Sequence, residues 1–513
     1  MTKKNKALFW IMLGLTTFTI FFNLGAFPLL DPDETVYAET PKEMIAFDDF
    51  VSPRIYGEYW YDKPPMYYWL VAASFKIFGI NEFAARFPSA LFGVLCVWLA
   101  YWAGKKFFSQ TIGIVSALVL TTSIEYFYVA KAAVTDTTLT LFLTAALVSF
   151  LDKKYYLFYL FAALATLTKG PIGLLFPGAI IFLYLLATKR WHELKNMKLP
   201  VGVVIYALVA LPWYMIMYQI HGAVFLDTFI GYNNITRFTM AEHANTSSWY
   251  FFVPVLIIGF FPWTALLGQA VRASLLERGN QARTLLFLNI WAFFIFIFFS
   301  ISSTKLVTYI LPMYPPIALL VGWYLGGWLE GEQQKKWPYS WPVVLTGLVV
   351  ILVGGMYFGV RDMPELAVGL AVLAVVMIAM TGMVWFAVRR NNPARSFWGQ
   401  VVAMTIVAGV LVTILVPAVA PQFTTYTIAG EFRTVYDGKS PVYIMKPLHP
   451  GFTFYTGVYG AEIKSSGDVK QAVMRNDSAY YVIRQSEYTA LGDKERAALT
   501  IMAQTNNLLL LKQ

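Results

Sequence analysis

Apolar runs of about 18 or more residues recur along most of this chain, and each can cross roughly 30 Å of hydrocarbon as a helix. Of 513 residues, 58% are apolar and only 13% charged, whereas soluble domains carry about 25% charged residues. The chain reads as a polytopic α-helical membrane protein. Its first run, 7–30, follows Lys3, Lys4 and Lys6 and has no A-x-A-like cleavage site, which reads as a retained span rather than a removed leader. A formal charge of +10 could suggest a nucleic-acid partner. Here the basic residues sit in short loops between runs, so the charge is topological and no nucleic acid is implied. Cys96, the single cysteine, excludes an intrachain disulfide and a cysteine metal cluster.

The runs amount to roughly thirteen spans, near 7–30, 82–107, 111–128, 132–151, 156–169, 171–188, 200–220, 249–270, 284–302, 305–328, 341–360, 365–388 and 398–420. With the N-terminus cytoplasmic, the inner loops collect Lys105/Lys106, Lys153/Lys154, Lys189/Arg190/Lys195/Lys198, Arg272/Arg278/Arg283, Lys335/Lys336 and Arg389/Arg390/Arg395. Outer loops are poor in Lys and Arg, as the positive-inside rule requires. Two outer loops are long, 31–81 and 221–248. After the spanning region, 1–421, comes a polar tail, 422–513. In the tail, short apolar strands (PVYIM, AYYVI, NLLLL) alternate with helix-like stretches (GDVKQAVM, DKERAALTIM), the pattern of a small extracytoplasmic α/β domain.

Sorting the ionisable residues by side gathers an unusual set on the outer face. Asp33, Glu34 and Tyr37 lie in DPDETVYAE directly after the first run, and Tyr61, Asp62 and Lys63 in YWYDKPPMYYW. Lys131 and Asp136 lie in AKAAVTDT, Lys169 in TKGP, Arg237 and His243 in NNITRFTMAEH, and Lys305 and Tyr309 in SISSTKLVTYILP. Singly, each has an ordinary explanation: a solvated span end, a snorkelling lysine, an interfacial aromatic belt. Together, carboxylates and several cations at one leaflet mark a functional site. A carboxylate can accept a proton from an attacking group, while Lys and Arg can hold a phosphate and stabilise it as a leaving group. Nucleotide sugars are not available outside the cytoplasm. Glycosyl transfer there needs a lipid-linked phosphosugar, whose phosphate lies at the headgroup depth of these cations.

DPDETVYAE, DKPPMYYW, AVTDT, TKGP and SSTKLVTYILPMYP, in that order, resemble the GT-C fold membrane glycosyltransferases related to protein O-mannosyltransferases. The branch they most resemble is the bacterial aminoarabinose transferases that modify lipid A. The resemblance spans nearly the whole chain. It implies an inner-membrane enzyme that takes a sugar from undecaprenyl phosphate with inversion and passes it to lipid A or another envelope glycan. It further implies Asp33 and Asp136 as catalytic carboxylates, Lys63 as a donor-phosphate ligand and Tyr37 and Tyr309 in the pocket, and Asp62 with His243 could hold a divalent metal ion. The outer-face charge set adds one or more of Lys131, Arg237 and Lys305 as phosphate ligands, with Glu34 and Tyr61 in the pocket. One departure is local: that branch usually reads DPDEGRYAE, and here Thr35 and Val36 replace the glycine and arginine. Two further readings stand, a protein O-glycosyltransferase and a transporter or flippase of lipid-linked sugars. Polar groups confined to span ends, rather than at mid-span depth, favour the enzyme.

Overall fold

The computed structural model describes residues 3–240, 248–331, 339–475, 478–505 and 507–513, which form two compact units. The first comprises residues 1–22, 61–66 and 89–415, and the second 23–60, 67–88 and 416–513.

The first unit is helical. Among the described residues of the chain, seven helices are long and apolar enough to cross a membrane, and nine if two bent pairs each count as one span. The run 111–128 is one such pair. It breaks by 71° between Gln110–Thr121 and Ile124–Ala130, where the Thr122 and Ser123 hydroxyls donate back to the carbonyls of Leu118 and Val119 and compete with the helix ladder. The run 249–270 bends by 103° between Phe252–Gly259 and Thr264–Leu276; the intervening Pro262 has no N–H to continue the ladder. Small residues bring helices together elsewhere. Gly322 and Gly326 of Tyr314–Leu329 face Ser116 and Ile112 so closely that a methyl group at either would overlap the neighbour, the close packing that small residues permit in membrane helices.

The second unit is built on a five-stranded mixed sheet. Its strand order is Ala461–Ile463, Val442–Met445, Tyr480–Arg484, Leu508–Lys512 and Thr500–Thr505. The first three run parallel and the last two pair antiparallel. Tyr480 to Ile483 and Leu508 to Leu511 are buried, which is why these strands read as continuous apolar runs. GDVKQAVM lies in a helix, Ser466–Met474, opened by a reciprocal cap between Ser465 and Asp468. DKERAALTIM divides instead. Asp493–Ala497 is one helical turn, whereas Thr500–Thr505 is a strand, because cross-strand pairing with Leu508–Lys512 supplies partners that local propensity does not. The unit also takes in much of the first long loop: helix Asp33–Ala46, a two-residue ribbon at Arg54–Ile55 and Glu58–Tyr59, and helix Met66–Phe78.

Candidate active site

Within the first unit a cavity of about 370 Å³ is lined by Asp62, Lys63, Lys169, Asn233, Arg237 and Tyr309, with an apolar wall that includes Leu175, Phe229, Phe238 and Phe299. Its lining comes from four distant stretches of chain. The 61–66 segment is pinned by Asn233, whose Nδ2 donates to the Tyr61 carbonyl at 3.1 Å. The Tyr61 ring rests against His221 and Phe225. Asn233 itself lies in an unusually wide helical stretch, Asp227–Thr236, of the kind that often marks functional sites.

The charges are arranged in two linked sets. Asp62 Oδ1 accepts from Lys63 Nζ at 2.9 Å and from Arg237 Nη1 at 3.0 Å. Lys169 Nζ donates to Asp136 Oδ1 at 2.6 Å and sits 4.6 Å from the centre of the Tyr309 ring. Burial works against the charged form of Asp62, but Lys63 and Arg237 outweigh it and hold the carboxyl below its ordinary value. For Lys63 burial wins, and its ammonium lies below the usual lysine value despite the Asp62 carboxylate. Three cations against two carboxylates, beside an aromatic wall, suit an anion attached to an apolar chain.

Other candidates are placed elsewhere. Lys131 is buried, and its Nζ donates to the carbonyls of Ile20 at 2.9 Å and Phe22 at 2.6 Å. It thereby satisfies carbonyls left open where helix Lys3–Phe21 ends. Lys305 donates to the Ser302 carbonyl and lines an adjoining cavity of about 410 Å³ with Trp249, Ser300 and Ser303, which shares Ser302 with the first. His243 lies outside the described residues. Its expected metal partner, Asp62, already spends one oxygen on an ammonium and a guanidinium. Among the described residues no three His, Cys, Asp or Glu side chains gather as a metal set would.

The second unit holds the DPDE stretch. Asp33 is exposed at the first residue of helix Asp33–Ala46, where a carboxylate is favoured by the helix dipole. Glu34 is buried, and its oxygens accept from Arg86 Nε at 2.8 Å and Nη2 at 2.7 Å. The same guanidinium donates to the carbonyls of Leu24, Phe27 and Pro28. Arg86 was not among the sequence candidates, although an arginine inside the apolar run FAARFPSALFGV was a readable signal. Tyr37 packs edge-on against Tyr67 and tilted against Tyr68, with ring centres 5.6 and 6.1 Å away. Thr35, one of the two departures from the usual motif, is buried and donates to Asp31 Oδ1 at 2.8 Å.

Solved structures share this architecture. ArnT from Cupriavidus metallidurans bound to undecaprenyl phosphate superposes with a TM-score of 0.81 over 98% of this chain and 97% of that one, at 22% identity. The fold is that of a polytopic GT-C membrane glycosyltransferase. Residues 62–216 match the family described as dolichyl-phosphate-mannose-protein mannosyltransferase. Undecaprenyl phosphate-alpha-4-amino-4-deoxy-L-arabinose arabinosyl transferase from Pectobacterium carotovorum is 30% identical over 477 residues, covering 89% of this chain and 82% of the relative. The same enzyme from Edwardsiella ictaluri is 32% identical over 338 residues, 64% of this chain and 59% of the relative, so that match spans less than two thirds of the relative's length. The chain belongs to the undecaprenyl phosphate-aminoarabinose arabinosyl transferase family.

Proposed function

We propose that this protein transfers a sugar, aminoarabinose or another pentose or hexose, from undecaprenyl phosphate to lipid A or another envelope glycan at the outer face of the bacterial inner membrane. The observation that carries the reading is the 370 Å³ cavity in which Lys63, Arg237 and Lys169 stand beside an aromatic wall. Such a lining suits a phosphate whose prenyl chain continues into apolar surroundings. Lys63 and Arg237 hold the donor phosphate and stabilise the charge that grows on it as the glycosidic bond breaks. Asp136 orients Lys169 through their ion pair, and Tyr309 packs against that lysine. Asp33 receives the proton of the attacking acceptor, or orients an acceptor that is already ionised, and displacement proceeds with inversion.

Lys131 and Lys305 keep a place in this reading as further donor-phosphate ligands, each buried ammonium exchanging the backbone carbonyls it now holds for phosphate oxygens. The topology is thirteen spans, with short helices such as Asp136–Leu151 and Ile172–Thr188 counted as crossing. The N-terminus is cytoplasmic and 422–513 extracytoplasmic. Transfer to protein hydroxyls is the second reading, favoured by the match of residues 62–216 to the protein mannosyltransferase family.

The test is label transfer in membranes supplied with a radiolabelled undecaprenyl-phosphate sugar. Asp33→Asn is expected to lower transfer by about 100-fold or more; full transfer would remove Asp33 from the mechanism. Label recovered by lipid extraction supports the lipid or glycan acceptor, and label recovered by protein precipitation supports the second reading.

A further inference from the structure

The helix that begins with Asp33 is not capped by its own sequence. The residue before it is Pro32, which offers no side-chain hydrogen bond to the open N–H groups of the first turn. Besides the Glu34–Arg86 pair, this end is held through Asp31, which reaches both the helix and the far end of the chain. Asp31 Oδ1 accepts from the Thr35 hydroxyl at 2.8 Å, and Oδ2 accepts from the Thr425 N–H at 2.8 Å. The Asp31 N–H donates to the Phe423 carbonyl at 2.8 Å, and the Leu29 N–H to the Tyr455 hydroxyl at 2.8 Å. Toward the other end of the helix, Lys42 Nζ donates to the carbonyls of Thr453 and Phe454 at 3.2 and 2.9 Å. Gly451 completes the contact. A methyl group there would overlap Asp31 Oδ1 and the Thr425 hydroxyl.

We propose that Asp31 is a positioning residue: with Thr425 and Gly451 it clamps the start of the Asp33 helix to the C-terminal segment and so sets the direction in which Asp33 is presented. The proposal rests on the reading of Asp33 as the acceptor-side carboxylate. It gives the C-terminal segment a part in the reaction without contact with either substrate. A helix end held at both Asp31 oxygens cannot swing, and misplacement of a reacting group by about 1 Å can cost about 100-fold in rate.

The test compares variants of the full-length protein in proteoliposomes, reading kcat, donor KM and thermal midpoint with a radiolabelled undecaprenyl-phosphate sugar. In Asp31→Asn the amide oxygen can accept from Thr425 and the amide nitrogen can donate to Thr35 Oγ1, so both ties survive. Its kcat is expected within about 3-fold of the parent. Asp31→Ala and Gly451→Ala, remote in sequence, are expected to lower kcat alike by about 10- to 100-fold. Donor KM should stay unchanged, because the donor-binding cations belong to the other unit. A loss in Asp31→Asn as deep as in Asp31→Ala would overturn the proposal, since the carboxylate would then matter for its charge. So would an unchanged kcat in Gly451→Ala, or a loss expressed in donor KM. Should the alanine variants show a lowered thermal midpoint, the decisive contrast is Asp31→Asn, active, against Asp33→Asn, inactive. Activity in Asp33→Asn would fail the reading of Asp33 itself, and the Gly451→Ala result would still decide the clamp.

Discussion

Lys63 carries a conflict that can be read in solution. As the proposed phosphate ligand its ammonium must be charged, yet burial lowers its proton affinity even with Asp62 at 2.9 Å. The sign follows directly: as pH rises the ammonium is lost earlier than for an ordinary lysine near 10.4, so donor binding weakens first on the alkaline side. Donor KM measured from pH 7 to 10 is expected to climb about tenfold per pH unit beyond that depressed value. Lys63→Arg, which stays charged throughout, should flatten the climb even if its KM at pH 7 is higher. A parent profile that rises no earlier than an ordinary lysine would give counts against Lys63 as the phosphate ligand. Thr35 teaches a different lesson at this scale. It is one of the two departures from the usual motif, and its hydroxyl is bonded to Asp31 and to the Pro32 carbonyl.

Between elements, the Glu34–Arg86 pair ties helix Asp33–Ala46 to the head of helix Glu82–Phe107, and the guanidinium also gathers the 24–28 turn. Both side chains are buried, at 5% and 0% exposure. Removing one partner strands the other charge away from water. Arg86→Leu is therefore expected to cost about 3–5 kcal/mol, seen as a lowered unfolding midpoint of the detergent-solubilised protein. Glu34→Leu combined with Arg86→Leu should recover much of that loss, because no buried charge remains unpaired. If the double variant is less stable than either single one, the pair is not the main tie. Helix breaks are the other feature at this scale. The two bent pairs place short helices where the apolar runs alone predict straight spans, and the reasons lie in Thr122, Ser123 and Pro262.

For the whole molecule the testable quantity is which face each loop occupies. Cys96 is the only cysteine and is buried, so single cysteines introduced elsewhere report cleanly to an impermeant maleimide. In whole cells with a permeabilised outer membrane, Lys439→Cys in the C-terminal segment is expected to label fully. Arg278→Cys should label only after the inner membrane is opened. Both positions are exposed in the structure. The reverse pattern would invert the topology and put the 370 Å³ cavity and the C-terminal segment in question together.

Local pattern alone determined that this chain spans a membrane many times, because twenty apolar residues in a row have no other stable home. Motif order alone pointed to the glycosyltransferase family, and the lysine of DKPP and the tyrosine of SSTKLVTYILP do line the cavity. The partners were another matter. Lys131 looked like a phosphate ligand and is bonded to the carbonyls of Ile20 and Phe22, more than a hundred residues away. Glu34 is joined to Arg86, and Asp31 to Thr425. TIM after DKERAAL became a strand through pairing with Leu508–Lys512. A residue's type states which bonds it can make. Only the tertiary structure, by bringing distant backbone and side chains within 3 Å, decides which of those bonds are taken and which charges are left for a substrate.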